Sequence, residues 1–218
     1  LRPMAGGTGT SVSARAAMMR CSRPMSWAVA STWPRGGRRS AQRFDTRFKM
    51  SAENFYRLSD CLLARPSAPW DLWHFEPRLH PIFFIFRVEG LEPGLYALPR
   101  HPEATPSLRN ALRGDFAWEK PANTPAHLPF VRLLSADCRT AAKTVNCHQA
   151  IAGDGCFALS MLSEFAPVIE RNAWRYRQLH WEAGLLGHVL YLEAEAIGLR
   201  GTGIGCYFDD ALHELLGI

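Results

Sequence analysis

The sequence predicts an α+β domain, and three stretches carry that prediction. Residues 181–197 are apolar at most positions and confine their polar side chains to a narrow strip, which predicts a long buried helix. Residues 82–88 predict a buried strand, and turn-forming residues at 90–94 bring residues 95–98 back as its partner. Residues 156–162 predict a second buried strand. A chain of 218 residues with helices beside a hairpin fits one domain of this class.

The predicted long helix has a clear stop and small residues on its surface. Gly198 followed by Leu199 is typical of a left-handed C-terminal cap, so the helix is expected to end there. Ala183, Gly184 and Gly187 lack bulk where another backbone could pack closely. This helix is therefore the element around which we expect the rest of the chain to be arranged.

A glycine-rich segment follows that helix. Residues 201–205 offer bare backbone amides, and residues 204–208 are expected to form a short strand. Asp209 or Asp210 is then expected to cap a last helix over residues 211–216. A dinucleotide-binding fingerprint needs its glycines after a strand and before a helix. Here the glycines follow a helix, which excludes that interpretation.

The first helix is predicted from its cap. Ser51 is a good N-cap, and Phe55, Leu58 and Leu62 recur on one face of the helix that follows. A Pro- and Trp-rich loop is expected over residues 64–81. The remaining expectations are a loop-rich span over 99–135, a helix over 137–151 and a helix that begins at Pro167.

The charge of the chain is concentrated near its start. Residues 1–44 contain eight of the 25 basic residues and no acid, which leaves 17 basic against 20 acidic residues in the remainder. The folded part therefore offers no general nucleic-acid-binding charge. Residues 1–37 are expected to be a disordered or non-native extension, with an organelle transit peptide as the weaker alternative. Charged residues interrupt the best apolar run, so a membrane partner is not expected.

The cysteines and histidines predict no metal site. Six cysteines are irregularly spaced, without a Cys-x-x-Cys pair, which is typical of buried free thiols in a reducing compartment such as the cytoplasm. His148, His180 and His188 are expected to lie in helices as structural residues. Asp209 and Asp210 could form an acid pair, but helix capping explains them more simply.

The order of these motifs resembles the FMN-dependent nitroreductase superfamily, and most closely the branch that oxidises thiazoline and oxazoline rings in peptides. The matching residues near the end of the chain are Glu182-Ala183-Gly184, Tyr191-Leu192-Glu193-Ala194, Gly198-Leu199 and Thr202-Gly203-Ile204-Gly205. Near its start Arg38-Arg39-Ser40 match, and Gly90-Leu91-Glu92-Pro93-Gly94-Leu95-Tyr96 match a hairpin of that family. The loop at Pro66-Ser67-Ala68 departs from the family pattern in register and in its tryptophans.

The resemblance implies a fold and a cofactor. It implies a nitroreductase-like domain over residues 38–218, with a central, mostly antiparallel sheet flanked by helices. It also implies an FMN site without catalytic side chains, because the flavin carries the chemistry. The implied cofactor-binding residues are Arg38, Arg39 and Ser40 at the phosphate, Gln42 at the edge of the ring, and Gly203, Ile204 and Gly205 through their backbone amides. The family has Arg or Lys where this chain has Gln42, so the donor remains but the positive charge is lost.

The resemblance also implies a partner, and it leaves the reaction open. FMN lies at a homodimer interface or between two fused domains, and relatives continue past the position of Ile218 with a strand and an arm that this sequence does not include. The reaction could be reduction of a nitroaromatic or quinone with NAD(P)H as co-substrate, or oxidation of a peptide ring. The alternative from another class is a flavin-free scaffold of the same fold that acts in protein association.

Overall fold

The computed structural model describes residues 40–170 and 172–218, and within them one antiparallel sheet carries helices on both faces. Its strand order is β3-β2-β1-β4, with all neighbours antiparallel. The strands are β1 (Leu79–Ile85), β2 (Gly94–Ala97), β3 (Val131–Ser135) and β4 (Phe157–Ser163). The helices are α1 (Ala52–Asp60), α2 (Ala104–Ala111), α3 (Arg139–Val145), α4 (Ile151–Asp154), α5 (Phe165–Ile169), α6 (Tyr176–Ala196) and α7 (Asp209–Leu216). The predicted α+β class is confirmed.

The hairpin of β1 and β2 forms the centre of the sheet and is buried on both sides. Successive side chains of a strand point to opposite faces. Phe83 and Tyr96 accordingly lie in one core with α1 and α6, whereas Phe84 lies in a second core with α2, α3 and α7. All residues of both strands are buried, which confirms the predicted hairpin.

Gly94 at the start of β2 is where the edge strand β3 comes closest. A Cβ atom built on Gly94 would overlap the backbone carbonyl oxygen of Leu134. The β2–β3 register shifts just after it, between Leu95 and Tyr96. β3 was not predicted, because its burial is only partial and the surrounding prolines suggested a loop.

The first helix follows the prediction closely. Ser51 is its N-cap, and the Ser51 hydroxyl accepts a hydrogen bond from the Asn54 N–H at 3.3 Å. Phe55, Leu58 and Leu62 are all buried, as their spacing predicted. Phe55 meets the rings of Phe83, Phe130 and Phe157 edge to face at 5.4 Å in each case, which ties α1 to the sheet.

The longest helix, α6, runs over Tyr176–Ala196 rather than 181–197, and the prediction of a buried helix holds for only part of its surface. One stripe is buried, and it includes Glu182, Leu186 and Val189. The side chain of Trp181 is 55% exposed on the opposite side. A Cβ atom built on Gly184 or Gly187 meets nothing within 4 Å, so no backbone of the described chain fills the space that these glycines leave.

The end of α6 is the predicted glycine stop. Gly198 has φ +74°, the left-handed conformation that glycine tolerates. The Leu199 N–H donates to the Ala194 carbonyl at 2.8 Å, and the Gly198 N–H donates to the Glu195 carbonyl at 3.1 Å. These two bonds are those of a Schellman motif, which satisfies the last carbonyls of the helix.

Several other elements differ from the predictions. The helix predicted over residues 137–151 is interrupted. α3 ends at Val145 and α4 begins only at Ile151, and Cys147 and His148 between them both have positive φ, so His148 is not helical. β4 is only partly buried, and the loop-rich span 99–135 contains α2 and β3. Pro167 lies inside α5, which begins at Phe165. No helix of the described residues is long and apolar enough to cross a membrane.

Candidate functional site

The segment after α6, residues 201–208, is called the glycine loop here, and it contains no strand. The predicted strand over 204–208 is wrong, because the polar backbone atoms of the loop bond to other parts of the chain. The Gly201 carbonyl accepts from the Ala41 N–H at 2.9 Å, and the Phe208 N–H donates to the Val145 carbonyl at 2.8 Å. The two ends of the loop are therefore held by segments that are remote in sequence.

A tyrosine hydroxyl also joins the glycine loop to the start of the described chain. The Tyr191 hydroxyl on α6 lies 2.9 Å from the Ser40 hydroxyl and also accepts the backbone N–H of Gly203. Tyr191 stands on the last turns of α6, so its side chain reaches the loop that follows. Ser40 and Gly203, both predicted site residues, are thereby brought to the same place.

The other predicted site residues surround this junction in different ways. Ile204 is half-buried, whereas Gly205 and Gln42 are exposed. Among the hydrogen bonds of the described residues, the amides of Ile204 and Gly205 make none. Arg38 and Arg39 lie outside the described residues. The described part of the predicted site is thus an open surface with two backbone donors that have no acceptor in residues 40–170 and 172–218.

A disulfide fixes the far side of the glycine loop. Cys206 in the loop is bonded to Cys147 in the break between α3 and α4, 59 residues earlier. The expectation that the cysteines are free thiols is therefore wrong for this pair, because irregular spacing in sequence says nothing about distance in space. Cys61 and Cys138 are buried, in keeping with the ordinary behaviour of cysteine. The sequence contained no local signal for the 147–206 pairing.

The acidic pair after the glycine loop does not cap α7. Phe208 occupies the N-cap position, and Asp209 and Asp210 are the first two residues of the helix, where their charge favours the positive helix end. Capping by Asp209 or Asp210 is therefore a wrong prediction. Both carboxylates are exposed, and neither belongs to a cluster of the described residues that could hold a metal ion.

A second cluster, His80, His101 and Glu164, was missed by the sequence analysis. One Glu164 carboxylate oxygen lies 3.2 Å from His80 Nε2 and 2.9 Å from His101 Nε2, and the other accepts from Arg78 at 2.5 Å. These three residues could in principle ligate a metal ion. In the sequence, His80 stands beside Pro81 at the start of the buried strand, and one histidine in that position does not indicate metal binding.

The protonation of this cluster favours a hydrogen-bond network over a metal centre. The Arg100 N–H donates to His80 Nδ1 at 3.2 Å, so the proton of the neutral ring must be on Nε2, which then has no lone pair for a metal. Burial lowers the pKa of His80 to about 4, which keeps the ring neutral. Burial opposes the charge of Glu164, but hydrogen bonds from Arg78, His80 and His101 outweigh it and lower its pKa. The Arg78 guanidinium already neutralises that carboxylate.

A buried ion pair lies beside this network. Arg100 donates to Glu182 of α6 and to the carbonyls of Leu62 and Leu79, at 2.7 and 3.1 Å for the two carbonyls. The backbone N–H of Arg78 also donates to the Glu182 carboxylate, at 3.0 and 3.2 Å from its two oxygens. Both charged side chains are at most 2% exposed. The pair therefore anchors α6 to the sheet and is unavailable for chemistry.

The sheet between two helical layers, with the chain near residue 40 meeting a loop after the longest helix, defines a nitroreductase-like fold. The chain is similar to the crystal structure of a provisionally assigned nitroreductase from Anabaena variabilis, with a TM-score of 0.60 and 22% identity. The match covers 84% of this chain and 34% of that one, so the chain spans about a third of the length of that protein. No family model and no curated protein sequence matches the chain.

Proposed function

We propose that this chain is an FMN-dependent oxidoreductase of the nitroreductase superfamily. The observation that carries the proposal is the junction at Tyr191, where Ser40 and Gly203 meet although 151 residues separate Ser40 from Tyr191. The sequence resemblance assigns both residues to the same flavin site. The likeness of the fold to a provisionally assigned nitroreductase supports the proposal. The sequence pattern from Glu182 to Gly205 favours the azoline-oxidising branch.

The described residues provide part of what an FMN site requires. FMN, when bound, supplies hydride transfer through N5 of its ring, so no catalytic side chain is required. The amides of Ile204 and Gly205, which bond to none of the described residues, can donate to ring oxygens and nitrogens, and the Ser40 hydroxyl can donate to a phosphate. The Gly203 amide already donates to Tyr191, so its predicted role passes to its two neighbours. The exposure of Gln42 leaves its amide able to reach the edge of the ring.

The openness of this site supports a partner that covers it. We propose a second domain of the same fold, either a second copy of this chain or part of a longer polypeptide, packed on the outer face of α6. That face carries the exposed ring of Trp181 and the uncovered glycines Gly184 and Gly187. Exposed apolar area beside small residues is typical of a contact between helices. The partner would bury the side of the site that this chain leaves open.

The cofactor is tested on the full chain by its visible spectrum. We expect purified protein, or protein incubated with FMN and desalted, to show the flavin absorption band and to release FMN on denaturation. Ser40→Ala should weaken FMN binding about tenfold, the loss of one hydrogen bond to a charged group. Ser107→Ala, an equal change at an exposed site on α2, should leave FMN binding unchanged. Equal FMN affinity in both variants would overturn the role of Ser40.

The position of Gln42 at the flavin ring is tested by measuring the reduction potential of the bound flavin. A positive charge near N1 of the ring stabilises the negative charge of reduced flavin, and Gln42 lacks one. We therefore expect Gln42→Arg to raise the reduction potential of the bound flavin and Gln42→Asn to leave it nearly unchanged. Because Gln42 is exposed, neither change disturbs the core. An unaltered potential in Gln42→Arg would contradict the assigned position of Gln42.

The partner is tested by a substitution that should stabilise the isolated domain and weaken its assembly with a second domain. Alanine is favoured over glycine in a helix by about 1 kcal/mol, and the space beside Gly184 is open, so Gly184→Ala should stabilise the isolated domain. The same methyl group should weaken close packing of a second domain. Light scattering should therefore show a smaller assembled fraction while thermal unfolding of the domain shifts upward. Leu72→Ala, at a residue 74% exposed and outside α6, is the control.

The second candidate is a flavin-free scaffold of the same fold. The use of the Gly203 amide by Tyr191 and the neutral side chain at Gln42 favour it. Absence of the flavin band after incubation with FMN, together with a stable assembly through α6, would establish this function in place of the first.

A further inference from the structure

The Cys147–Cys206 disulfide joins two irregular segments of the chain. Cys147 lies in the turn between the end of α3 and the start of α4, and Cys206 lies in the glycine loop. Neither residue belongs to a helix or a strand. The bond can therefore open without breaking either kind of element, and its opening acts first on the glycine loop.

The bond is within reach of a reductant. Cys206 is exposed and Cys147 is half-buried. Exposed disulfides are more easily reduced than buried ones and include those with regulatory roles. The other described cysteines are poor rivals for exchange with this bond: Cys61 and Cys138 are buried, and burial raises the pKa of the Cys138 and Cys156 thiols. A reductant therefore acts selectively on the 147–206 bond.

The stretch beside Cys206 is held by few backbone contacts. The amides on either side of it, those of Gly203 and Phe208, donate hydrogen bonds to other parts of the chain. Among the residues that the structure describes, residues 204–207 make no backbone hydrogen bond. The bond from Cys206 to Cys147 is thus a covalent anchor for a stretch that the backbone does not fix by itself.

This anchor stands directly beside the proposed flavin site. Ile204 and Gly205, whose amides are proposed to donate to the ring, immediately precede Cys206. Ordering one flexible residue on binding weakens affinity by about tenfold. We propose that the Cys147–Cys206 bond is a redox switch of the flavin site: the oxidised protein holds these amides in place for FMN, and reduction by a dithiol releases them. The switch rests on the function proposed above.

The reduction is an ordinary thiol–disulfide exchange. A thiolate of the dithiol attacks the exposed sulfur of Cys206, which forms a mixed disulfide and releases the Cys147 thiolate, and that thiolate takes up a proton. The second thiol of the donor then closes on the first and releases Cys206 as a thiol. The protein gains two electrons and two protons, and the donor is oxidised to its own disulfide.

The first test measures the loop itself, without FMN. The full chain is reduced with dithiothreitol, desalted without oxygen and compared with the oxidised protein by nitrogen relaxation NMR. We expect the order parameters of the Ile204 and Gly205 amides to fall from about 0.85 to below about 0.6 on reduction. The Leu199 amide, which donates to the Ala194 carbonyl at the end of α6, should keep its order parameter. Thiol titration should detect the two thiols of the opened bond.

The second test measures FMN affinity in the same two states, by the fluorescence of the flavin. We expect the reduced protein to bind FMN about tenfold more weakly or worse, and reoxidation to restore the affinity. Cys147→Ser/Cys206→Ser should bind FMN weakly with and without dithiothreitol. Cys156→Ser, the same change at a half-buried cysteine outside the bond, should retain the full redox response.

The outcomes separate the switch from the flavin function. Equal FMN affinity of the oxidised and reduced protein would overturn the switch and leave the flavin function standing. A disulfide that survives dithiothreitol in the folded protein, or loss of the redox response in Cys156→Ser, would also overturn the switch. Absence of FMN binding in both states would overturn the flavin function and with it the control of FMN. Near-UV circular dichroism verifies the fold, and the reduced native chain decides the switch if the double variant does not fold.

Discussion

The Tyr191 hydroxyl lies 2.9 Å from the Ser40 hydroxyl and at the same time accepts the N–H of Gly203. The Tyr191 hydroxyl on α6 therefore bonds both to the start of the described chain and to the glycine loop. Because both bonds are made to exposed groups, we expect the position of the glycine loop to be sensitive to the loss of either bond.

We expect Tyr191→Phe to release this junction without disturbing the core. The ring is retained and the hydrogen bonds to Ser40 and Gly203 are lost, which should cost about 1 kcal/mol in the free energy of unfolding. Hydrogen exchange of the Gly203 amide should accelerate strongly, because its acceptor is gone. Tyr176→Phe, on the same helix with a ring that is 49% exposed, is the control. Unchanged exchange at Gly203 would show that Tyr191 does not hold the loop.

Removal of one partner from the Arg100–Glu182 pair should be far more costly. Glu182→Leu leaves a buried guanidinium without its counter-charge, and the expected loss is about 3–5 kcal/mol in urea unfolding. The double variant Arg100→Met/Glu182→Leu should recover part of this loss, because no unpaired charge remains. Glu195→Gln alters a 3.8 Å pair with the exposed Arg200 and should cost less than about 0.5 kcal/mol. Simple additivity of the two single losses would argue against a coupled pair.

The pKa of His80 makes stability depend on pH. The unfolded state binds a proton near pH 6.5 and the folded state only near pH 4, so stability is full above about pH 6.5 and falls as the pH drops toward 4. The shift corresponds to about 3 kcal/mol. His80→Asn should flatten the difference between urea midpoints at pH 7 and pH 5. His148→Asn, at an exposed residue with positive φ that Asn tolerates, should preserve that difference.

Reduction of the Cys147–Cys206 bond should loosen the glycine loop. The bond closes a long loop of chain, and its loss should lower the free energy of unfolding by about 2–4 kcal/mol. A reductant should therefore lower the melting temperature of the native protein. The variant Cys147→Ser/Cys206→Ser should already melt at the lower temperature and should not respond to reductant. Peptide mapping without reductant should recover the cross-linked peptide, and its absence would contradict the pairing.

The parts of the fold that the sequence predicted depend on local chemistry. Ser51 caps α1 through a bond to a residue three positions away, and Gly198 ends α6 through bonds within two turns. The turn at Gly90, with φ +72°, returns the chain into β2 in the same way. Each of these interactions joins residues close in sequence, so a residue pattern is sufficient to predict it.

The failed predictions depend on distant contacts. The disulfide and the junction at Tyr191 join residues that no spacing rule relates. The composition of α6 indicated burial but not what would cover its outer face, which is exposed in the described chain. The strand expected over residues 204–208 is absent: the Phe208 N–H donates to the Val145 carbonyl of α3, and no neighbouring strand of the described residues pairs with this segment. For the candidate site, the sequence named Ser40 and Gly203 but not the phenol between them.

Gly94 has a consequence for how much variation the sheet can accept. With the Leu134 carbonyl in the place of a side chain, even a methyl group at this position would act as a wedge and push the outermost ribbon away from its neighbour. The pairing of β3 with β2 thus requires glycine at position 94, where the side chain is a single hydrogen atom. A Gly94→Ala variant would therefore show whether the domain still folds when only β2, β1 and β4 remain paired.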